Sequence, residues 1–267
     1  QRNTQVQNTF SVTNLRARHV LHMFALAAVL TTVGCAGGGG STTETPVSQA
    51  PPSLAAAVVA ADNFAPGQVD ATYSITVSNA ATAGDTTGTT TVTDPPTGFT
   101  IKSVFGSGWT CTISGSPAGF SCTRGDSLRH GFSFPPITVT GDVTATDGQT
   151  VNIPCSVSGG GLTTPANVTG AIPVAAAVLS ITKAHTGNFA KGQLGATYTV
   201  TVGNVAGKGP SVGKVTVADI VPANPTLNLT LVSMAGAGWT CPGTGGANTC
   251  ERIDALAGGK FYPDITA

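Results

Sequence analysis

Gly106-Ser107-Gly108-Trp109-Thr110-Cys111 comes back as Gly236-Ala237-Gly238-Trp239-Thr240-Cys241, and this repetition constrains the chain more than any other feature. Both copies sit late in a longer similarity. Asn63-Phe64-Ala65-Pro66-Gly67-Gln68 returns as Asn188-Phe189-Ala190-Lys191-Gly192-Gln193, and Ala71-Thr72-Tyr73 as Ala196-Thr197-Tyr198. A second cysteine follows each copy, at Cys122 and Cys250. The offset is 125 from Asn63 to Asp94, 130 at the tryptophans and 128 after the second cysteine. Length changes therefore fall around Pro222–Pro225 and in the Cys241–Cys250 turn, as variable loops on one shared fold require.

Within a copy the pattern is that of short strands. In Ala71-Thr72-Tyr73-Ser74-Ile75-Thr76-Val77-Ser78 the apolar residues occupy every second position, which buries one face of a strand and leaves a Thr/Ser face outside. Further strands are expected at 88–93, 99–104, 109–113, 119–123, 137–143 and 151–158, separated by Gly, Pro, Asn and Asp. Glu occurs only at Glu44 and Glu251, while 35 glycines and many Thr, Ser and Val favour turns and strands over helices. The expected class is all-β, as β-sandwiches in tandem.

Only 9% of the residues are charged, 12 basic against 12 acidic, so there is no electrostatic footprint for nucleic acid or for an anionic membrane face.

The N-terminal part reads differently. Arg16, Arg18 and His19 precede an apolar run from Val20 to Gly34 that ends at Cys35. A basic segment, a short apolar core and a small-residue exit make a secretory signal. Thr32-Val33-Gly34-Cys35 resembles the lipobox of bacterial lipoproteins, which implies lipidation at Cys35 and a membrane anchor there. Thr32 departs from the aliphatic residue of that pattern. Gly37–Gly40 and the Ser, Thr and Pro residues after them form a flexible tether. The expected organisation is a leader over 1–35, a disordered tether over 36–53, a first repeat over 54–174 and a second over 175–267. The second is expected to be truncated, because Phe261–Ala267 align with Ser133–Val139 and the first copy continues to Val174.

Export bears on the cysteines, because disulfides persist outside the cytoplasm. Gly115, Pro117 and Gly119 between Cys111 and Cys122 let the two ends meet as a hairpin, so Cys111–Cys122 and Cys241–Cys250 are expected bridges. No His or further Cys lies nearby at ligand spacing, which disfavours a metal there. Trp109 and Trp239, with Tyr73 and Tyr198, are expected as core residues. Cys155 shares the alternating face of Val151, Ile153 and Val157, where a buried free thiol fits.

The motifs together, Asn-Phe-x-x-Gly-Gln, Ala-Thr-Tyr-x-[Ile/Val]-Thr-Val, Gly-x-Gly-Trp-Thr-Cys and Ser158-Gly159-Gly160-Gly161, resemble the bacterial conserved-repeat Ig-like domain of unknown function. That family occurs in tandem in large exported and surface proteins. The resemblance covers residues 54–267 and implies Ig-like sandwiches serving as a stalk, a spacer or an adhesion repeat. Its partners would be other repeats of the array, the membrane through Cys35, and a surface protein or glycan.

No catalytic constellation is present, and no cofactor or metal is expected. His130 and His185 stand at unmatched positions in different repeats and read as solvated loop residues. Asp94 and Asp219 match across the repeats and precede Pro-containing turns, where Asp caps the turn through backbone amides. Gly159–Gly161 lack the Lys-Ser/Thr of a phosphate loop. The reading is a non-enzymatic surface protein. The competing reading is a carbohydrate- or ligand-binding module of a secreted enzyme, which exposed aromatics on one face would favour.

Overall fold

The computed structural model describes residues 50–220, 229–242 and 247–267. The leader with Cys35, nearly all of the tether, the Pro222–Pro225 insertion and part of the Cys241–Cys250 turn lie outside these residues.

The first repeat is built from nine strands: β1 (Leu54–Val59), β2 (Ala71–Asn79), β3 (Thr90–Asp94), β4 (Phe99–Gly106), β5 (Thr110–Ser114), β6 (Gly119–Arg124), β7 (Ile137–Val143), β8 (Thr150–Gly159) and β9 (Ala166–Pro173). They form two antiparallel sheets, β1-β2-β7-β4 and β5-β6-β3-β8-β9. Along β2 the alternation holds, with Ala71, Tyr73, Ile75 and Val77 buried. Their side chains meet Val92, Phe120 and Cys122 of the facing sheet, and Val151, Ile153, Cys155 and Val157 of β8 complete the core. Period-two sequence thus places one face of each sheet in a shared interior, which is the β-sandwich.

The second repeat uses the same registers. Its described strands are β10 (Leu179–Ala184), β11 (Thr199–Asn204), β12 (Val215–Ile220), β13 (Ala235–Gly236), β14 (Ala247–Arg252) and β15 (Ile265–Thr266). Leu54 pairs with Asn79 and Leu179 with Asn204, both at the offset of 125. Val92 faces Cys122, and Val217 faces Cys250. The sheets are β10-β11-β15-β13 and β12-β14. Val200, Val202, Val217, Met234, Trp239 and Ile265 form their core. The described residues are all-β, in two Ig-like sandwiches of which the second is the smaller.

The sequence pattern missed β1 and β9 as strands. In Leu54–Val59 a run of alanines hides the alternation. In β9 the apolar face is thin, with Ile172 its one fully buried large side chain.

The repeats touch at their joint. Asn63 Nδ2 donates to the Gly207 carbonyl at 2.9 Å, and the Ala175 N–H donates to the Phe64 carbonyl at 2.8 Å. A side chain at Gly209 would sit 2.4 Å from the Phe64 carbonyl oxygen, so this approach needs a glycine.

Candidate functional site

One constellation built twice is the corner around each tryptophan. Trp109 donates its backbone N–H to the Gly106 carbonyl at 3.0 Å, closing a tight turn just before β5, and Trp239 does the same to Gly236. Both glycines of Gly-x-Gly are required. A Cβ on Gly106 would lie 2.6 Å from the Trp109 ring, and Gly108 has a φ of +77° with Arg124 packed above it. Gly236 and Gly238 repeat this crowding and this left-handed backbone.

The indoles are buried and not displayed. Trp109 Nε1 donates to the Pro135 carbonyl at 2.9 Å and Trp239 Nε1 to Pro263 at 2.8 Å, so each polar edge is satisfied inside. Trp109 meets Phe134 edge-on at 5.3 Å, and Trp239 meets Tyr262 likewise at 5.3 Å. Arg124 lies 4.7 Å above Phe134 and Arg252 lies 4.3 Å above Tyr262. Each guanidinium also donates to a carbonyl of the Gly-x-Gly turn, Ser107 or Ala237, and pairs with a carboxylate two residues on, Asp126 or Asp254. The guanidinium in turn holds Asp126 and Asp254 below the usual carboxylate range, chiefly by hydrogen bonding. Disulfides Cys111–Cys122 and Cys241–Cys250 join the adjoining strands.

Sequence reasoning singled out the tryptophans and cysteines and missed the arginines. The signal was present: Cys122-Thr123-Arg124-Gly125-Asp126 and Cys250-Glu251-Arg252-Ile253-Asp254 share Cys-x-Arg-x-Asp at the offset of 128.

A second matched set holds the loops that flank β2 and β11. Asn79 is buried and donates through Nδ2 to the carbonyls of Gly84 at 2.8 Å and Leu128 at 3.1 Å, while its Oδ1 accepts from the Ser53 N–H. Asn204 bonds Gly209, Leu256 and Val178 in the same way. Gln68 Oε1 accepts from the Ala65 N–H at 2.9 Å, and Gln193 from Ala190 at 2.9 Å, which accounts for the Gln that ends Asn-Phe-x-x-Gly-Gln. Each such bond contributes on the order of 1 kcal/mol, and losing one partner inside costs more than that.

The repeats diverge at Asp94 and Asp219. The turn-capping role expected of Asp94 is not observed. Its carboxylate is buried and accepts from Tyr73 Oη at 2.6 Å, while Oδ1 finds no partner among the described residues. Burial raises the Asp94 carboxyl to about 6, with the Tyr73 hydrogen bond pulling the other way. Tyr73 is pushed upward, first by burial and then by the Asp94 charge. Cys155 is a buried free thiol, raised to about 12 by burial and secondarily by Asp94. Such a thiol is unreactive. Asp219 instead pairs with Lys183 Nζ at 3.0 Å, and that amine lies 3.7 Å above the Tyr198 ring. Tyr198 Oη has no partner among the described residues. The swap follows from one substitution: Lys183 stands where the first repeat has Val58.

His130 and His185 sit on the surface. His130 Nδ1 lies 2.7 Å from Asp85 Oδ1, and His185 Nδ1 lies 2.6 Å from the Gly187 carbonyl. Among the described residues no group of His, Cys, Asp and Glu gathers as metal ligands. An open cleft of about 460 Å³ lies where the repeats meet. Asp62 and Lys208 are its charged residues, and no nucleophile–base pair lines it.

Comparison with known proteins gives weak likenesses only. No family model and no curated protein matches the chain. Among solved structures it is similar to the C-terminal domain of the Streptococcus agalactiae AgI/II polypeptide BspA, at 10% identity and a TM-score of 0.38 over 80% of this chain and 89% of that one. It is also similar to the CsuC–CsuE chaperone–tip adhesion subunit pre-assembly complex from Csu pili of Acinetobacter baumannii. There the identity is 8% and the TM-score 0.19, over 78% of this chain and 86% of that one. The two sandwiches are evident from this chain's own sheets and registers.

Proposed function

We propose that this chain is a non-enzymatic part of an exported bacterial surface protein, in which tandem Ig-like sandwiches act as a stalk or spacer and present surfaces for adhesion. The observation that carries this reading is what the repeats hold in common. Matched residues are scaffold: the Gly-x-Gly turn, the buried Trp, the Arg–Asp latch, the disulfide and the loop-holding Asn. None of them opens onto a cleft. A stalk needs this kind of repetition, because each unit must fold and hold its shape against load while loops vary.

Two disulfides at matched positions favour an oxidising compartment. Hydrogen bonds at the joint, Asn63 to Gly207 and Ala175 to Phe64, favour a defined angle between units over a loose string. Lipidation at Cys35 would tie the array to the membrane, and further repeats and a surface protein or glycan would be its partners.

A sugar-binding module is less well supported. Both tryptophans are buried; of the exposed phenylalanines among the described residues, Phe105, Phe132 and Phe261 stand where the other repeat has Ala235, Lys260 and Ser133, and the counterpart of Phe189, Phe64, is buried. The reading is tested in the producing cell by surface biotinylation and non-reducing mass mapping, with Cys35→Ala beside the parent. Expected are surface labelling, the two intra-repeat bridges and loss of lipid labelling in Cys35→Ala. A cytoplasmic chain with reduced cysteines would sink it.

A further inference from the structure

Asn248 is 1% exposed, and neither its Oδ1 nor its Nδ2 finds a partner among the described residues. A primary amide left unbonded in a core is costly, and the first repeat puts Phe120 at the matching position. Asn248 lies directly opposite Asp219 in the β12–β14 ladder. Val217 and Cys250, two residues along each strand, are buried, so alternation turns Asp219 and Asn248 inward together. Side chains at such a pair stand about 5 Å apart at Cβ. Asp219 in turn holds Lys183 Nζ, at 3.0 Å from Oδ1 and 3.3 Å from Oδ2, while the Tyr198 ring lies 3.7 Å from the amine. An amine, a carboxylate that can carry its protons and an unsatisfied amide are thus gathered in one place. The first repeat has the same ladder, with Asp94 opposite Phe120, and Val58 in place of the lysine. It keeps the carboxylate and neither of the groups that could react.

We propose that Lys183 and Asn248 join in an intramolecular amide bond, formed by the folded second repeat itself with Asp219 as the proton carrier. Asp219 takes a proton from Lys183 Nζ across the 3.0 Å contact. The lone pair so freed attacks Asn248 Cγ, and the carbonyl electrons move onto Oδ1. They return as the Cγ–Nδ2 bond breaks. Nζ sheds a second proton, both protons pass through Asp219 to Nδ2, and that nitrogen leaves as ammonium. One Nζ–Cγ bond replaces one Cγ–Nδ2 bond, nothing is oxidised or reduced, and Asp219 ends as the carboxylate it began as. Holding amine and amide together makes a slow exchange intramolecular. The bond ties β10 to β14, one strand from each sheet of the second repeat. It rests on these side chains and not on where the protein is displayed, so it stands or falls apart from the surface-protein reading.

The test is mass mapping of the full chain after reduction, alkylation and trypsin. Peptide 130–191, uncut after Lys183, should be joined to peptide 215–252, and the pair should be lighter than its sum by one ammonia. Fragmentation should place the link at Lys183 and Asn248. Lys183→Arg and Asn248→Ala should abolish the joined species. Asp219→Ala keeps both bonding partners and should lower its fraction by roughly tenfold or more. Tryptophan emission shows whether each variant has folded, and Asp219→Asn replaces the alanine variant if that one has not. Two separate peptides of unaltered mass from the folded parent chain overturn the proposal. A link from Lys183 to Asp219 with loss of water also overturns it, because the carboxylate would then be the acceptor. A joined fraction unchanged in a folded Asp219 variant overturns the role given to Asp219.

Discussion

The first repeat has a strand on each side of β3 and a roof over β1; among the described residues the second has the same corner and loop anchors, with β12 bonded to β14 alone and β10 exposed along its length. Its Trp239 is nevertheless as buried as Trp109, at 8% against 9% exposure, and every hydrogen bond of the corner is present. The corner is therefore a local device, complete without β8 and β9. What the hairpin supplies is cover for the opposite side, where Phe64 is 3% exposed and its counterpart Phe189 is 41% exposed.

The largest effects are expected at the corner. Trp239→Ala should destabilise the second repeat by about 3–5 kcal/mol, the usual range for a buried aromatic. It leaves Trp109 as the sole tryptophan, so fluorescence-monitored urea unfolding then reads the first repeat, which should be unchanged. Trp109→Ala gives the mirror experiment. A lower urea midpoint for the remaining tryptophan in either variant would mean that the repeats fold as one unit.

Removing a bridge should come next. Cys111→Ala with Cys122→Ala, or Cys241→Ala with Cys250→Ala, should cost roughly 2–3 kcal/mol in the repeat concerned, on the loop-entropy model. The second repeat, with less core around its bridge, should fall to the lower denaturant midpoint.

Acidity separates the repeats further. The Asp94 carboxyl is raised in the folded chain from 3.8 to about 6, so the fold favours its protonated form. Its contribution is fully present below about pH 4 and is lost as the pH rises through about 6. The slope should appear in the first-repeat transition. Asp94→Asn should flatten it. A first repeat that gains stability between those pH values would contradict the buried Tyr73–Asp94 pair.

Smallest of all is Lys183→Val, which installs the first repeat's residue in the second. The ion pair with Asp219 is half-exposed on the lysine side, so in the Asn248→Ala chain, where no covalent bond enters, its loss together with the contact on Tyr198 should cost about 1 kcal/mol or less in thermal unfolding.

Much of this comparison was legible in the sequence. Alternation placed Tyr73, Ile75 and Val77 on one buried face, and the cysteine spacing placed both bridges. The repeat offsets carry over to the strand registers residue for residue, because registers on a half-buried sheet are set by which face must be inside. Asp94 was misread because its partner lies 21 residues away, on the facing sheet, whereas turn chemistry is judged from neighbours. The arginines escaped notice because a guanidinium beside a carboxylate looks like surface charge until the ring beneath it is seen. Val58 against Lys183 looked like a neutral difference, yet it changes the partner of an aspartate.

Amide hydrogen exchange of this 267-residue chain, comparing Thr90–Asp94 with Val215–Ile220, tests most directly that β3 is bonded along both edges while β12, among the described residues, is bonded to β14 alone. Strand β3 should be protected at every amide, while in β12 the amides not bonded to β14 should exchange far faster than their β3 counterparts. Equal protection along both strands would mean that β12 is already covered, and would contradict the account.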